Sequence, residues 1–357
     1  MTVVTTIITE PTAVTGRLPG RWRRMPLKAK AGIVLMGMFI LAAIIGPIVE
    51  PYDPGYQNPL PSLQMAGPSA AHLLGTTNTG QDVLSQLLTG IRLTLELGLL
   101  VGVIATLLAV VVGVTAAYRG GIWDEVLMLF TNVFLVIPAL PLLIILLGYL
   151  SSAGQWPTIL VLSVLGWPWG ARVMRAQTLA IRGRDFIAAA RESGENSWRI
   201  IIFEIVPNEV SLIAANFVNA VLYAIGASVA LAFIGLTNVT SWSLGTTLYW
   251  AESENALQLG AWWWFIPSGL AVALMGTGLV LLNSGIDEFG NPRLRDASSA
   301  SRIAGRRIKS TDPTPVLHEP PSRGKLGSFL YSFSRASVLD RAEARRVAVA
   351  EDKEGAK

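Results

Sequence analysis

Charged side chains disappear from two long stretches of the sequence: none occurs from Val126 to Ala171, and none from Val210 to Ala251. A helix in water keeps a polar face and does not sustain such runs. A hydrocarbon core about 30 Å thick needs roughly 20 apolar residues per crossing. Each run is therefore long enough for two helices, or for a helix with an outside loop. The pattern predicts six spans: Ala31–Val49, Leu93–Ala117, Val126–Leu150, Trp156–Val173, Val210–Leu236 and Trp263–Asn283. Helices are expected because lipid offers no hydrogen-bond partner to the backbone. Pro51 and Pro54 close the first span, and Tyr118-Arg119-Gly120-Gly121 closes the second. Ser151-Ser152-Ala153-Gly154 with Pro157 splits the long middle run, and Glu252 and Glu254 separate the last two spans. The fold class is all-α and polytopic.

Composition agrees with this reading: 52% of the 357 residues are hydrophobic and 15% are charged, against about 25% charged in soluble domains. With no cysteine, disulfides and thiolate metal sites are excluded. The net charge of +4 does not point to nucleic acid. The distribution of basic residues sets the orientation. Arg17, Arg21, Arg23, Arg24, Lys28 and Lys30 precede the first span, and Arg119 lies in the second-to-third turn. Arg172, Arg175, Arg182, Arg184, Arg191 and Arg199 lie between the fourth and fifth spans, and the remaining Lys and Arg follow Asn291. The other face has Arg92 alone, at the start of the second span. Both termini are thus expected in the cytoplasm, with the first span an uncleaved anchor. This gives a basic tail at 1–30, a membrane domain at 31–295 with an external segment at 51–92, and a cytoplasmic tail at 296–357.

Outside the membrane, Gly80-Gln81-Asp82 reads as a turn into a short interfacial helix that feeds the second span, with Asp82 near its N-terminus. Trp262, Trp263 and Trp264 read as an aromatic belt at the outer end of the last span. Glu96 reads as an interface residue. In the tail, Ala297–Gly327 has the composition of disorder, and Phe329–Val349 has apolar positions for an amphipathic helix at Leu330, Phe333, Val338 and Leu339.

The cytoplasmic stretch from Arg182 to Asn208 is too polar to span and too patterned for a slack loop. Asp185 is placed to cap a short alanine-rich helix, Phe186–Ser193, which Gly194 breaks. Asn196 or Ser197 is placed to cap a second helix, with Trp198, Ile201, Ile202 and Ile205 on one face and Pro207 ending it. The expected product is a helix–turn–helix along the inner surface of the membrane.

Asp185-Phe186-Ile187-Ala188-Ala189-Ala190-Arg191-Glu192-Ser193-Gly194, followed by Ile205-Val206-Pro207-Asn208, resembles the "EAA" coupling loop of ABC importer permeases. The glutamate that names that motif is replaced here by Ala188. His72 to Arg92 resembles a signature of the C-type permeases of dipeptide, oligopeptide and nickel importers, with Thr77, Gln81 and Gln86 as departures. Further pieces of that branch's pattern follow in order: Tyr118-Arg119-Gly120-Gly121 with Asp124-Glu125, Ile137-Pro138, Arg172-Val173-Met174-Arg175 and Ala232-Phe233-Ile234-Gly235-Leu236. Ser241-Trp242-Ser243-Leu244-Gly245 and Asn291-Pro292-Arg293-Leu294-Arg295 complete it.

The resemblance implies the type I importer permease fold in a bacterial cytoplasmic membrane, with Arg182, Asp185, Ala188, Ala189, Ala190, Glu192, Gly194, Trp198 and Pro207 coupling to an ATPase. It implies a B-type permease partner, two ATPase subunits that bind ATP and Mg, and an external substrate-binding lipoprotein. The cargo it implies is peptide, with nickel or oligosaccharide as alternatives. The sequence holds no G-x-x-x-x-G-K-[ST] loop, so no cofactor is expected on this chain, and the chain is not expected to be an enzyme. A channel or secondary transporter is the rival reading. Such proteins place ionisable groups inside their spans, and these spans are nearly free of them.

Overall fold

A computed structural model describes residues 27–150 and 154–290. The expectations for the basic tail before residue 27, for Ser151–Ala153, for the Asn291–Arg295 motif and for the two tail segments lie outside the described residues. No β-strand occurs among the described residues.

Among the described residues, four helices are long and apolar enough to cross a bilayer: α1 (Leu27–Val49), α2 (Val83–Arg119), α9 (Val210–Phe233) and α11 (Trp262–Gly290). Helices α3 (Gly121–Val136) and α4 (Ala139–Leu150) supply a fifth crossing if they count as one span. The single straight helix expected over Val126–Leu150 is corrected here, because the two pieces meet at 80°. Ile137, held extended before Pro138, makes the break. A proline ring disfavours the helical conformation in the residue before it.

Where the fourth span is expected lies helix α5 (Trp156–Ile181), with Pro157 in its first turn and Pro168 inside it, and it is not among the helices apolar enough to cross. Its tryptophans, prolines and two arginines keep it below the apolarity of the other four. Helix α2 corrects a second expectation. No separate interfacial helix feeds it, since one helix runs unbroken from Val83 to Arg119.

Both ends of α2 are fixed by side-chain or backbone chemistry. Asp82 caps its start, accepting from the Ser85 backbone N–H and the Ser85 hydroxyl at 2.8 Å each, and its other oxygen meets His72 Nδ1 at 2.9 Å. This buried cluster ties the external segment to the first turn. At the far end Gly120 takes φ +67, and α3 begins at the next residue. A further helix, α10 (Leu244–Ser253), lies inside the stretch that the charge pattern left as loop, and Ser243 and Thr246 cap it reciprocally.

Helix α2 is the centre of the bundle: α5, α9 and α1 pack on it, and α11 packs on α1 and α9. Lipid tails are as apolar as leucine, so burial gives helices little reason to associate, and close backbone approach supplies the attraction instead. Gly113 of α2 lies directly against the Ala171 carbonyl of α5, with Met174 Cβ 2.8 Å from where a Cβ would stand. Farther along α2, a Cβ at Gly98 would stand 2.6 Å from Ile225 of α9. Helices α3 and α5 are tied by charge: Arg175 donates to both oxygens of Asp124 at 2.6 and 2.7 Å. Near it, Arg172 donates to Asn132 at 2.8 Å.

Two substitutions test this packing. Gly113→Val forces α2 and α5 apart at a backbone contact and costs about 3 kcal/mol, lowering the melting temperature of the detergent-purified chain. Gly226→Val, with nothing within 4 Å of its site, leaves it unchanged, and equal effects of the two would refute the close-approach account. For the ion pair, Asp124→Arg alone lowers the melting temperature, and adding Arg175→Asp recovers most of the loss. The expected recovery is small, about 1 kcal/mol, because the pair is partly exposed.

Candidate functional site

The stretch between α5 and α9 folds as two short helices. Helix α6 spans Asp185–Glu192 and α7 spans Ser197–Ile200. Asp185 is the first residue of α6 rather than its cap, and its side chain makes no capping hydrogen bond. Its charge still lies in the first turn, where the helix dipole favours it. Gly194 ends the helix at φ +76. The Glu195 N–H reaches the Ala190 carbonyl at 3.1 Å, and the Gly194 N–H reaches the Arg191 carbonyl at 3.0 Å. These paired bonds close the helix as a glycine in the left-handed region does. Asn196 then caps α7 through the Trp198 N–H at 3.4 Å.

Beyond α7 the expected end at Pro207 is not found. A single wide turn, Ile201–Ile205, carries the Val206 N–H back to the Ile201 carbonyl, and α8 (Val206–Asn208) leads on to α9. Pro207 has no N–H to give, and the Asn208 side-chain amide donates to the neighbouring Glu204 carbonyl at 2.6 Å. The buried face also differs from the expected one. Ile200, Ile201 and Ile205 are buried, with Ile187 of α6, against Val114, Tyr118 and Met174. Trp198, 48% exposed, and Ile202 lie outside, correcting the expected face of Trp198, Ile201, Ile202 and Ile205.

The result is a two-helix blade seated by isoleucines on the ends of α2 and α5. Its outer side presents Asp185, Phe186, Ala188, Ala189, Glu192 and Gly194, all exposed, with open space around Gly194. Ala190 is half-buried and packs on the isoleucine cluster. Pro207 is exposed on the side of α8. Arg182 points away from the outer face, and its Nη1 donates to the Ala117 carbonyl at 2.6 Å, binding the end of α5 to the end of α2. The candidate residues therefore fall into two groups. Asp185, Ala188, Ala189 and Glu192 of α6 share the free outer surface with Gly194, whereas Ala190 and Arg182 belong to the seat and Trp198 and Pro207 are exposed beside it.

One important residue was not anticipated. Glu209, just before α9, is 1% exposed, and its Oε1 accepts from Thr178 of α5 at 2.8 Å. Burial pushes its carboxyl above the ordinary carboxylate range, against the opposing pull of the Thr178 hydrogen bond. The signal available in the sequence was a lone acid bordering a charge-free run. The two residues whose contact would explain it are 31 positions apart.

The tryptophans at the outer end also differ from expectation. Trp262 is exposed as a belt residue would be, but Trp263 donates to the Thr76 carbonyl at 3.2 Å and Trp264 is 2% exposed. These two anchor the external segment on α11 and do not face lipid. Glu96 is exposed on α2. Midway along the bundle, an uncharged cleft of about 270 Å³ is lined by Trp169, Asn216, Asn219 and Tyr223.

Residues 109–296, which include the blade, match the family described as binding-protein-dependent transport system inner membrane component. The dipeptide transport system permease protein DppC of Bacillus subtilis (strain 168) is 30% identical over 279 residues, covering 77% of this chain and 85% of the relative. The oligopeptide transport system permease protein OppC of the same organism is 28% identical over 270 residues, covering 75% and 86%. The OppC protein of Mycobacterium tuberculosis (strain ATCC 25618 / H37Rv) is 32% identical over 278 residues, covering 77% and 91%. The sequence likeness thus runs over most of the length of these relatives, and the chain belongs to the family of binding-protein-dependent transport system inner membrane components.

Proposed function

We propose that this chain is one permease half of an ATP-driven importer that carries peptides across the bacterial cytoplasmic membrane. The observation that supports this most directly is the blade. Its inner face is locked to α2 and α5 by Ile187, Ile200, Ile201 and Ile205, while its outer face, of small and acidic residues with Phe186, is exposed among the described residues. A surface built in this way can receive a push from outside and pass it to the membrane helices. The peptide cargo follows from the names of the relatives, which are dipeptide and oligopeptide permeases.

In this reading the chain crosses six times, through α1, α2, the bent α3–α4 pair, α5, α9 and α11, with both ends in the cytoplasm. A homologous permease completes the pathway, two ATPase subunits bind ATP and Mg, and an external lipoprotein delivers cargo. ATP binding closes the ATPase pair against Ala188, Ala189 and Gly194. The blade moves as a unit, and the seat at Val114, Tyr118 and Met174 turns α2 and α5 with it. Thr178–Glu209 carries the motion to α9, and Arg175–Asp124 carries it to α3. The bundle then alternates between inward and outward openings. The uncharged cleft at Asn216, Asn219 and Tyr223 suits a cargo recognised elsewhere and merely conducted here.

Purification of the chain in mild detergent is expected to recover a second permease and ATPase subunits, with ATP hydrolysis stimulated by the cognate binding protein. A lone chain under conditions that preserve related complexes, with no ATPase, would favour a channel or secondary transporter instead. The blade has its own test. Gly194→Asp places a side chain in the left-handed region, which costs about 1 kcal/mol, and adds charge at an open turn. Membrane abundance stays normal and peptide uptake is lost. Normal uptake by that variant removes the coupling role from the blade.

A further inference from the structure

Beside the blade lies an open cup of about 810 Å³ whose lining includes Tyr118, Arg119, Trp123, Arg182, Arg191 and Glu195. Three of these six are arginines. Among the described residues none of the three has a carboxylate partner, because the ion pairs are His72–Asp82, Arg175–Asp124 and Arg199–Glu195. Glu195, the one acid in the lining, is already engaged by Arg199 at 3.3 Å.

What holds the arginines is aromatic or neutral. The Arg119 guanidinium lies 5.1 Å from the Trp123 ring and 5.6 Å from the Trp198 ring. Arg191 lies 4.9 Å from the Tyr118 ring. Arg182 is fixed by the Ala117 carbonyl, beside Gly120, where a Cβ would stand 3.3 Å from its Nη1. Aromatic faces and a carbonyl orient a guanidinium without cancelling its charge. Asp124 and Glu195, the acids nearby, are paired with Arg175 and Arg199, so the three oriented guanidiniums keep the cup net positive until an anion enters.

The position of the cup indicates which anion. It lies where α2 ends and α3 begins, at the level where a membrane helix meets water. From Trp123 an apolar line leads away along one face of α3 through Val126, Phe130 and Val133, each about half exposed. A charged cup continued by an apolar track has the two-part chemistry of an anionic phospholipid. We propose that this cup binds the phosphate headgroup of an anionic lipid, with Arg119, Arg182 and Arg191 on the phosphate and the acyl chains along α3. Arginine forks suit phosphate oxygens, and basic pockets at the cytoplasmic ends of membrane helices attract such headgroups. The assignment requires that the chain lie in a membrane and does not rest on its coupling to an ATPase. If both hold, a bound headgroup stiffens the joint between the blade and α2, and transport depends on the anionic lipid content of the bilayer.

Native mass spectrometry of the full chain in detergent tests this, with phosphatidylglycerol and phosphatidylcholine of identical acyl chains added in turn. Selective retention of one phosphatidylglycerol is expected. The double variant Arg119→Gln/Arg191→Gln lowers that affinity by about thirtyfold, the product of two basic contacts. Arg184→Gln, an exposed arginine that does not line the cup, leaves it unchanged. Equal retention of the two lipids by the unaltered chain overturns the proposal, whether or not the variants fold. Inorganic phosphate forms a separate arm. Displacement of the lipid by millimolar phosphate supports the headgroup contact, whereas phosphate binding without any lipid preference makes the cup a free-anion site and overturns the lipid assignment. If the preference is present but persists in the double variant, the lipid binds elsewhere and the cup is not its site.

Discussion

Helix α2 can lie on α5 only where the two carry almost nothing between them. Gly113 meets the carbonyl of Ala171, and no larger residue fits without moving a backbone. In water a few lost contacts could be offset by burying other apolar area. In lipid that compensation is absent, so the interhelical geometry rests on such close approaches. The blade depends on this contact at one remove. Its isoleucines pack on Val114 and Tyr118 of α2 and on Met174 of α5, within about a turn of Gly113 and Ala171. A shift of one helix against the other would split the seat. The same contact that builds the bundle therefore sets the angle at which the blade stands.

The route from the blade into the membrane is unusual in being helical almost throughout. A proline between a surface helix and a span would ordinarily be read as a hinge. Here the wide turn Ile201–Ile205 absorbs the missing N–H, and Asn208 supplies a side-chain donor in its neighbourhood. The backbone passes from α7 to α9 with a short irregularity at Glu209 and no slack loop. The Glu209 carboxylate, held by Thr178, braces that irregularity against α5. Wide turns of this kind recur at functional positions. In the proposed mechanism a flexible link at this point would dissipate the motion that the blade is meant to deliver.

The charge pattern made the apolar crossings legible because lipid penalises charge directly, and it located the blade because Gly194 and Asn196 are local signals for local structure. The failures share a cause, since each depended on a neighbour distant in sequence or on a feature that hydropathy does not register. Ile137–Pro138 lies in a charge-free run, where a kinked and a straight helix have the same composition. The start of α2 at Val83 was obscured by Arg92 and Glu96, which look interfacial in sequence but sit on the exposed face of one continuous helix. Helix α10 was hidden because all of it up to Ala251 lies inside the same charge-free run as α9, with Glu252 near its end. Trp263 and Trp264 read as lipid anchors until Thr76 and the external segment are seen to cover them. Ile201 and Ile205 of the expected face are buried, but Ile200 takes the buried place expected of Trp198 and Ile202, because Val114, Tyr118 and Met174, distant in sequence, form the seat.

Ala188 is where the resemblance and the structure bear on each other most closely. The coupling-loop motif carries a glutamate at this position, and here the position is exposed on the outer side of α6. An acid there would therefore have faced outward and not the bundle, so the alanine leaves the seat of the blade untouched. Two acids remain on the same outer surface: Asp185 at the start of α6 and Glu192 at its end, both exposed. Between them Ala188 and Ala189 leave a shallow, smooth patch, closed by the sharp turn at Gly194. Docking in the proposed complex then rests on the shape of this patch, with charge at its two ends in place of its centre. Alanine also gives the blade strong helix propensity, so this short helix keeps its form with little support from its exposed side. A centrally placed carboxylate would have oriented the partner by attraction, whereas this arrangement orients it by fit.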